Sequence, residues 1–513
     1  MPSLTKKPTI VALLIILSGA LQTLTLAPIA WWPLGPISII LLVWATQALD
    51  FKVSGMPILY GWLFGLGLFG SGASWVYVSI HTYGYAPAPL AAFLTIVFVA
   101  GLSLFCAFQF WLYYKIRSSS MYMNAVIFSA IWLLSDAFRT DFLTGFPWLF
   151  LGYGHLSSPL AGWIPVLGVY GITTLVVGTG LALYLCIQGY NSKKNKIIAA
   201  STLAVWLAGY PLNEIKWTTE QNEKLSVAML QINIPQELKW LPSQRRKTIR
   251  LLENMSVEAW DHDLIIWPET AIPMLYDQAL PFLKKFGDVA KAHGTNIITG
   301  IPYRELNEQG QTTALHNSIF SFGKGDGIYH KQKLVPFGEY VPLQDLLRGL
   351  IAFFDLPMSD FRKGPPNQEL LLSHNWSVAP FICYEVVYPN FVAKQAQGAD
   401  YLLTISNDSW FGASIGPLQH LEMAQMRAAE NGRYMVRATN NGVSAMINEK
   451  GQIIAQSEQF VATTLSSQVK LFDGQTPFSR MQSTPLFVLA SGIVFFFVLI
   501  RRRHKKGNSQ TET

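Results

Sequence analysis

Three residues of different chemistry each stand near where a strand would end, and together they could carry out acyl transfer. Cys383 closes the run Ser377-Val-Ala-Pro-Phe-Ile and is followed at once by Tyr384 and Glu385. Glu269 comes directly after Ile265-Ile-Trp267-Pro268. Lys331 leads into Gln332-Lys333-Leu-Val-Pro336-Phe-Gly338-Glu339. A free thiol is mostly protonated near neutral pH and must become a thiolate to attack. A carboxylate can take that proton. Attack on an ester or amide carbonyl builds an oxyanion, which an ammonium and a backbone N–H, here that of Tyr384, can stabilise. The product is a thioester on Cys383. Taken singly, each residue has an ordinary explanation: a packed thiol, a solvated loop glutamate, a surface lysine. The signal lies in the combination and its order.

These side chains need strands that stop abruptly. Ser226–Gln231, Leu264–Trp267, Asn296–Gly300, Ser318–Phe322, Val378–Cys383 and Tyr401–Ser406 are short, β-rich runs. The last of them ends in Asn407-Asp408-Ser-Trp410-Phe-Gly412. Amphipathic stretches, Gln278–His293 and His420–Tyr434, lie between them. Alternating strands and helices predict a layered α/β domain, in which sites gather at the carboxyl ends of strands. His420 opens its helix after Gly416-Pro417 and could be a second base; a helix-terminal or core histidine is the simpler reading.

The rest of the chain has another texture. Half of the 513 residues are hydrophobic and 13% are charged, against roughly 25% in ordinary soluble domains. Apolar runs able to cross a bilayer, at ~20 residues each, fall near 9–28, 34–50, 56–79, 88–114, 121–138, 159–189, 197–213 and 484–500. Lys6 and Lys7, Lys52, Lys115 and Arg117, then Lys193, Lys194 and Lys196 occupy alternate loops. The positive-inside rule then puts both termini in the cytoplasm, with the Arg501–Lys506 cluster in agreement. Residues 217–480 fall on the far side, the periplasm of a bacterium. The expected domains are a seven-span domain over 1–216, an α/β catalytic domain over 217–480, and a closing helix with a basic tail over 481–513.

The net charge of +7 is concentrated at the ends of these spans, so it reads as a topology signal and not as a nucleic-acid surface. The three cysteines make neither a disulfide framework nor a zinc site. Gly65-Leu-Gly67-Leu-Phe-Gly70 matches a dinucleotide-binding pattern, but it lies in an apolar run, where small residues let membrane helices approach closely. Asp136 and Arg139 near the end of span five either face a polar cavity or pair with each other.

Glu269 in Trp-Pro-Glu, Lys331 before Leu-Val-Pro-Phe-Gly-Glu, and Cys383 in Ile-Cys-Tyr-Glu resemble the Glu-Lys-Cys triad of the nitrilase superfamily. Seven spans, a nitrilase-like domain and one closing span resemble the bacterial apolipoprotein N-acyltransferase family. Gly72-Ala-Ser-Trp-Val-Tyr-Val-Ser, Thr144-Gly-Phe-Pro-Trp148, Gln236-Glu-Leu-Lys-Trp240, Phe353-Phe-Asp-Leu-Pro-Met-Ser and Asn407-Asp-Ser-Trp-Phe-Gly are similar to segments of that family. The resemblance implies a polytopic helical domain plus an α-β-β-α sandwich. It implies transfer of an acyl chain from a phospholipid to the N-terminal amine of an S-diacylglyceryl-cysteine apolipoprotein, in two steps through a Cys383 thioester. No cofactor, metal or nucleic acid enters the scheme, and the enzyme is a monomer in the inner membrane. Glu339 and Glu385 would hold Lys331 and the amine. The apolar patch around Arg348, with Phe353 and Phe354, together with Trp240, would admit the acyl chain. Two other readings compete: a membrane-tethered amidase acting on a small substrate, for which one anchoring helix would suffice, and a transporter with a periplasmic sensor domain, for which the spans carry few charges. A catalytically dead binding module is a third, disfavoured by the intact triad.

Overall fold

Apolar runs with few breakers become helices, and β-branched runs stopped by proline, glycine or asparagine become strands. The computed structural model describes residues 7–47, 55–189, 191–340 and 361–510. Phe353, Phe354 and Arg348 lie outside them. The chain divides into two compact units: Met1–Tyr77, Ala88–Ile215 and Met481–Thr513 form one, and Val78–Pro87 with Lys216–Arg480 form the other.

The first unit is helical. Helices span Pro8–Thr23, Leu34–Gln47, Met56–Gly72, Ala88–Ile116, Met121–Asp141, Ile164–Gln188, Lys193–Asn213 and Thr484–Gln510. Among the described residues, four helical stretches are long and apolar enough to cross a membrane: Ala88–Ile116, Met121–Thr144, Pro159–Gln188 and Thr484–Arg502. A fifth is reached if Met56–Gly72 and Val76–Tyr83, bent by 62°, form one broken span. The third run, read as continuous over 56–79, is therefore interrupted. Ser71 sits where it breaks, and its hydroxyl donates back to Gly67 O at 2.7 Å, a bond known to bend helices. Gly65 and Gly67 serve close packing. A Cβ at Gly67 would strike the backbone of Ile16, and one at Gly65 would strike Ser103. Asp136 and Arg139 pair with each other at 2.9 Å, both buried, and Arg139 also donates to the carbonyls of Phe146 and Trp148.

The second unit carries thirteen strands among its described residues: β1 Thr218–Gln231, β2 Leu264–Ile266, β3 Asn296–Leu306, β4 Thr312–Gly323, β5 Gly325–Asp326, β6 Ile328–His330, β7 Leu371–Ser373, β8 Trp376–Ile382, β9 Tyr401–Ser406, β10 Met435–Thr439, β11 Ala445–Ile447, β12 Ile453–Gln456 and β13 Thr463–Gly474. One sheet has the order β13-β1-β2-β3-β4-β6, the other β12-β11-β10-β9-β8-β7-β5. Side chains alternate across each strand. Val227 and Met229 therefore join Ile298, Ile382, Leu403 and Val436 in a core shared by the two sheets. Ala228, Leu230, Ile265 and Ile297 face outward onto Leu252 and the Leu283/Phe286/Ala290 stripe of the helix Tyr276–His293. The helices Pro389–Gln395 and Gly416–Asn431 contact β8 and β10 on the other sheet. The layers run α-β-β-α.

Candidate active site

Four loops leave the carboxyl ends of β2, β6, β8 and β9, and each brings one polar group inward. Three of these loops hold a non-glycine residue at positive φ: Thr270 at 50°, Phe337 at 64° and Cys383 at 51°. Such residues cost on the order of 1–3 kcal/mol each and cluster at functional sites. At Cys383 the turn has a visible cause. Ile382 ends β8, Cys383 opens a single 3-10 turn to Val387, and the left-handed backbone of Cys383 itself turns the chain sharply out of the sheet.

Glu269 is buried just past β2. Its Oε1 accepts from Asn317 Nδ2 at 2.8 Å, and its Oε2 accepts from the Asn407 backbone N–H at 2.7 Å. Asn407 follows β9 of the other sheet, so this bond joins the two sheet ends. Gly300 on β3 makes room for the loop, because a Cβ there would overlap Glu269 Cα and Thr270 N. Lys331 is buried past β6. Its Nζ lies 2.8 Å from Glu339 Oε2 and 3.9 Å from Glu269 Oε1. Glu339 is tied down in turn, with Oε2 accepting from Val335 N at 2.9 Å and Oε1 from Asn317 Nδ2 at 3.0 Å. Asn317 thus spans both carboxylates with one amide, and the lysine ammonium offsets one of their two charges, sitting closer to Glu339 than to Glu269.

Electrostatics set the resting charge states. Burial pulls the Lys331 ammonium down, but Glu339, Glu269 and the Cys383 sulfur outweigh it and hold the ammonium above its ordinary range. Burial pushes the Cys383 thiol well up, and Glu269 pushes it further, against the pull of Lys331. The resting site is therefore a neutral thiol beside a carboxylate and an ammonium. Glu269, Lys331 and Glu339 touch directly, and the thiol lies within their field.

Glu385 does not reach into this cluster. It is fully buried and anchors backbone. Its Oε2 accepts from Ile382 N at 2.8 Å. Its Oε1 accepts from Gln332 N at 2.7 Å, Lys333 N at 3.1 Å and the Tyr329 hydroxyl at 2.9 Å. One side chain thereby locks the lysine loop to the residue before the thiol. Tyr384 is buried with its ring edge-on to Tyr388. Trp240 is exposed at 37%, beside exposed Leu238 and Leu241. His420 is buried, with Nε2 3.1 Å from the Cys383 carbonyl and Nδ1 3.1 Å from Asp408 Oδ1; Arg437 Nη2 donates to Asp408 Oδ2 at 2.6 Å. Burial, then Arg437, holds the imidazole below its usual value. The ring lies between the Cys383 carbonyl on one side and Asp408 and Arg437 on the other, and touches no reacting atom.

Sequence reasoning missed Asn317 and gave Gln236 and Lys239 no role beyond their place in a family-like segment. Gln236 Oε1 accepts from Asn407 Nδ2 at 2.7 Å, and Lys239 Nζ donates to the Glu269 backbone carbonyl at 3.0 Å. Together they clamp the carboxylate loop from outside. Burial pulls Lys239 down to about 8, with Glu269 and Cys383 opposing. Between about 8 and the ordinary 10.5 the folded chain therefore holds fewer protons than the unfolded one. Lys239's own contribution to stability is expected to rise with pH across that window, by at most about 3 kcal/mol, opposite in sign to that of the Cys383 thiol. Chemical unfolding of wild type and Lys239→Met at pH 7.5–10.5 (chosen about that window) checks it: the stability of wild type relative to the variant should rise with pH. An identical slope in both proteins would show that Lys239 does not titrate there.

Known proteins align with both halves of the chain. A family described as carbon-nitrogen hydrolase matches residues 226–476, and one described as apolipoprotein N-acyltransferase N-terminal domain matches residues 18–182. The apolipoprotein N-acyltransferase of Pseudomonas paraeruginosa (strain DSM 24068 / PA7) is 47% identical over 495 residues, 96% of each chain. That of Pseudomonas syringae pv. tomato is 45% identical over 96% of this chain and 97% of its own. That of Photobacterium profundum is 40% identical over 96% and 95%. Among solved structures, Saccharomyces cerevisiae Nit3, a member of the nitrilase superfamily, is 17% identical, covers 53% of this chain and 97% of its own, and superposes with a TM-score of 0.36.

Proposed function

The chain belongs to the apolipoprotein N-acyltransferase family, and from that premise we propose that it acylates apolipoproteins through a thioester on Cys383. A phospholipid is the donor, and the acceptor is the N-terminal amine of an S-diacylglyceryl-cysteine apolipoprotein. Glu269 takes the thiol proton as sulfur attacks the ester carbonyl. Lys331 and the Tyr384 N–H stabilise the tetrahedral oxyanion. The ester C–O bond breaks, the lysophospholipid alkoxide takes up the proton held by Glu269, and the acyl chain stays on sulfur. In the second step Glu269 accepts a proton from the incoming amine, nitrogen attacks the thioester, and the thiolate leaves and is reprotonated. The observation that carries this reading is the buried Glu269–Asn317–Glu339–Lys331 cluster, whose field acts on the Cys383 thiol.

Glu339 orients Lys331, and Glu385 holds the loops on either side of the thiol. The exposed Leu238, Trp240 and Leu241 surface suits contact with an acyl chain, and Phe353 and Phe354 are proposed to share that task. The apolar helices make this a membrane protein. The positive-inside pattern supports cytoplasmic termini and a periplasmic catalytic unit in the inner membrane, with the enzyme acting as a monomer.

Incubating the purified full-length protein with a phospholipid radiolabelled in its acyl chains should give a hydroxylamine-sensitive adduct. Cys383→Ala should give none. A folded wild-type protein that acylates an apolipoprotein peptide without ever forming the adduct would rule out the thioester.

A further inference from the structure

Behind the thiol turn lies a buried polar chain that the steps above leave unused. His420 on the helix Gly416–Asn431, Asp408 just past β9 and Arg437 on β10 are each at most 2% exposed. Arg437 Nη2 donates to Asp408 Oδ2, and Asp408 Oδ1 lies beside His420 Nδ1. Phe411 meets the imidazole edge-on, with ring centres 6.1 Å apart. Gly442 leaves room for the carboxylate, since a Cβ there would overlap Asp408. The chain ends on backbone, where His420 Nε2 reaches the carbonyl oxygen of Cys383 at 3.1 Å. Replacing a buried charged set by apolar residues is often neutral or stabilising, so stability alone does not account for one placed here.

The imidazole grips one side of a rigid unit. The Cys383 carbonyl and the Tyr384 N–H belong to the same peptide, which is planar and trans, so the two bonds point in opposite directions. A group that fixes where the oxygen points also fixes where the N–H points. Cys383 needs such a hold, because its φ of 51° is a strained conformation that persists only when its surroundings impose it. Glu385 holds the chain before the thiol, at Ile382 N. His420 holds it after the thiol. A carbonyl oxygen only accepts, so this contact is a hydrogen bond when the proton is on Nε2. Arg437 Nη2, a donor, lies 3.2 Å from Nδ1. Accepting from it at Nδ1 would leave the proton of the ring on Nε2.

We propose that His420 is the positioning residue of the oxyanion site: its Nε2–H holds the Cys383 carbonyl and so aims the Tyr384 N–H at the oxygen on which charge develops, with Asp408 and Arg437 holding the ring. The role rests on the thioester reading, because the oxyanion is that of its first step. His420 itself moves no proton. The consequence is selective. Attack on an ester carbonyl needs the donor, because charge builds on oxygen. Iodoacetamide is attacked at a tetrahedral carbon and loses iodide, so its reaction builds no oxyanion and needs only the thiolate.

The test uses full-length protein with Cys106 and Cys186 replaced by serine. Single-turnover adduct formation from radiolabelled phospholipid is measured beside iodoacetamide labelling against pH. His420→Leu should slow acylation by about 10–10²-fold, short of the ~10²–10³-fold that outright loss of an oxyanion donor costs. It should keep the wild-type alkylation profile. Burial, then Arg437, holds the imidazole below its usual value, so at neutral pH the variant removes no charge from beside the thiol. His420→Gln places an amide N–H about where Nε2–H stands and should recover most of the acylation rate. Acylation at the wild-type rate in folded His420→Leu would overturn the role, and so would a His420→Gln protein no faster than His420→Leu. Acylation and alkylation falling together in both variants would overturn it too, since the thiol itself would then be displaced and His420 would only pack. A wild-type protein that is alkylated at Cys383 but never forms the adduct would remove the thioester and this role together, an outcome distinct from the others, in all of which wild type forms the adduct.

Discussion

Glu269→Gln is expected to slow acylation of Cys383 by about 10²–10⁴-fold while making the same thiol easier to alkylate at neutral pH. The two effects have opposite signs because Glu269 is proposed to act in two ways. As a base it accepts the proton during attack, which a neutral amide cannot do. As a fixed negative charge it raises the thiol pKa, second only to burial. Removing the charge leaves Lys331 to pull the other way, so the resting thiolate fraction should grow. The amide can still accept from Asn407 N–H or from Asn317 Nδ2, but its own NH₂ then faces the other donor. A modest loss of stability, about 1–3 kcal/mol, accompanies the change. Single-turnover adduct formation and iodoacetamide labelling against pH, in a background with Cys106 and Cys186 replaced by serine, separate the two. If acylation and alkylation fall together, Glu269 is not acting as base and charge on this thiol.

Glu385→Ala should be the most destabilising single change at the site. It strips acceptors from three backbone N–H groups and a buried tyrosine hydroxyl at once. Orphaned buried donors cost ~1–3 kcal/mol each and do not add fully, so a loss on the order of 3–5 kcal/mol follows. Activity should fall further than stability explains, because the same bonds hold Gln332 and Lys333 beside Ile382 and so keep Lys331 facing the thiol. Glu385→Gln keeps one carbonyl oxygen and should lose roughly half as much stability. Unfolding midpoints and adduct rates for the pair give the answer. An alanine variant as stable as wild type would mean that other groups serve these donors.

Glu269 and Cys383 are legible in the sequence because each follows a strand end buried on both faces, and such strands read as continuous apolar runs with an abrupt stop; Lys331 follows the short, partly exposed β6 and is legible through the Leu-Val-Pro-Phe-Gly-Glu motif after it. A layered α/β domain is legible from the alternation of strands and helices, and its α-β-β-α order only through the family resemblance. What escapes is whatever depends on partners far away in the chain. β1 pairs with β13 in antiparallel register from Thr218↔Gly474 to Gln231↔Thr463. Its outer half, with Glu220, Gln221 and Glu223, is too polar to announce a strand. Asn317 leaves one trace: His316-Asn317-Ser318 is a buried polar triplet within an otherwise apolar strand. Such a triplet in a core strand needs partners, and those of Asn317 are the carboxylates of Glu269 and Glu339. Lys239 leaves none, since a lysine in a polar segment looks like surface until the Glu269 carbonyl is set against it. The break in the third apolar run is hidden because hydropathy does not register a change of direction.

The segment Val78–Pro87 has a bearing on how the catalytic unit is made. It belongs to that unit, with Ser79 Oγ donating to the Trp410 carbonyl at 2.7 Å and Tyr83 edge-on to the Trp410 ring. Trp410 closes the short turn that begins beside Asn407, whose N–H grips Glu269. The ribosome therefore delivers the first piece of the catalytic unit 331 residues before the partner it must meet. Four successive helices of the other unit are synthesised in between. An excised Lys216–Arg480 fragment would be born without that early piece, leaving the turn next to the proton acceptor unbraced however well its two sheets fold.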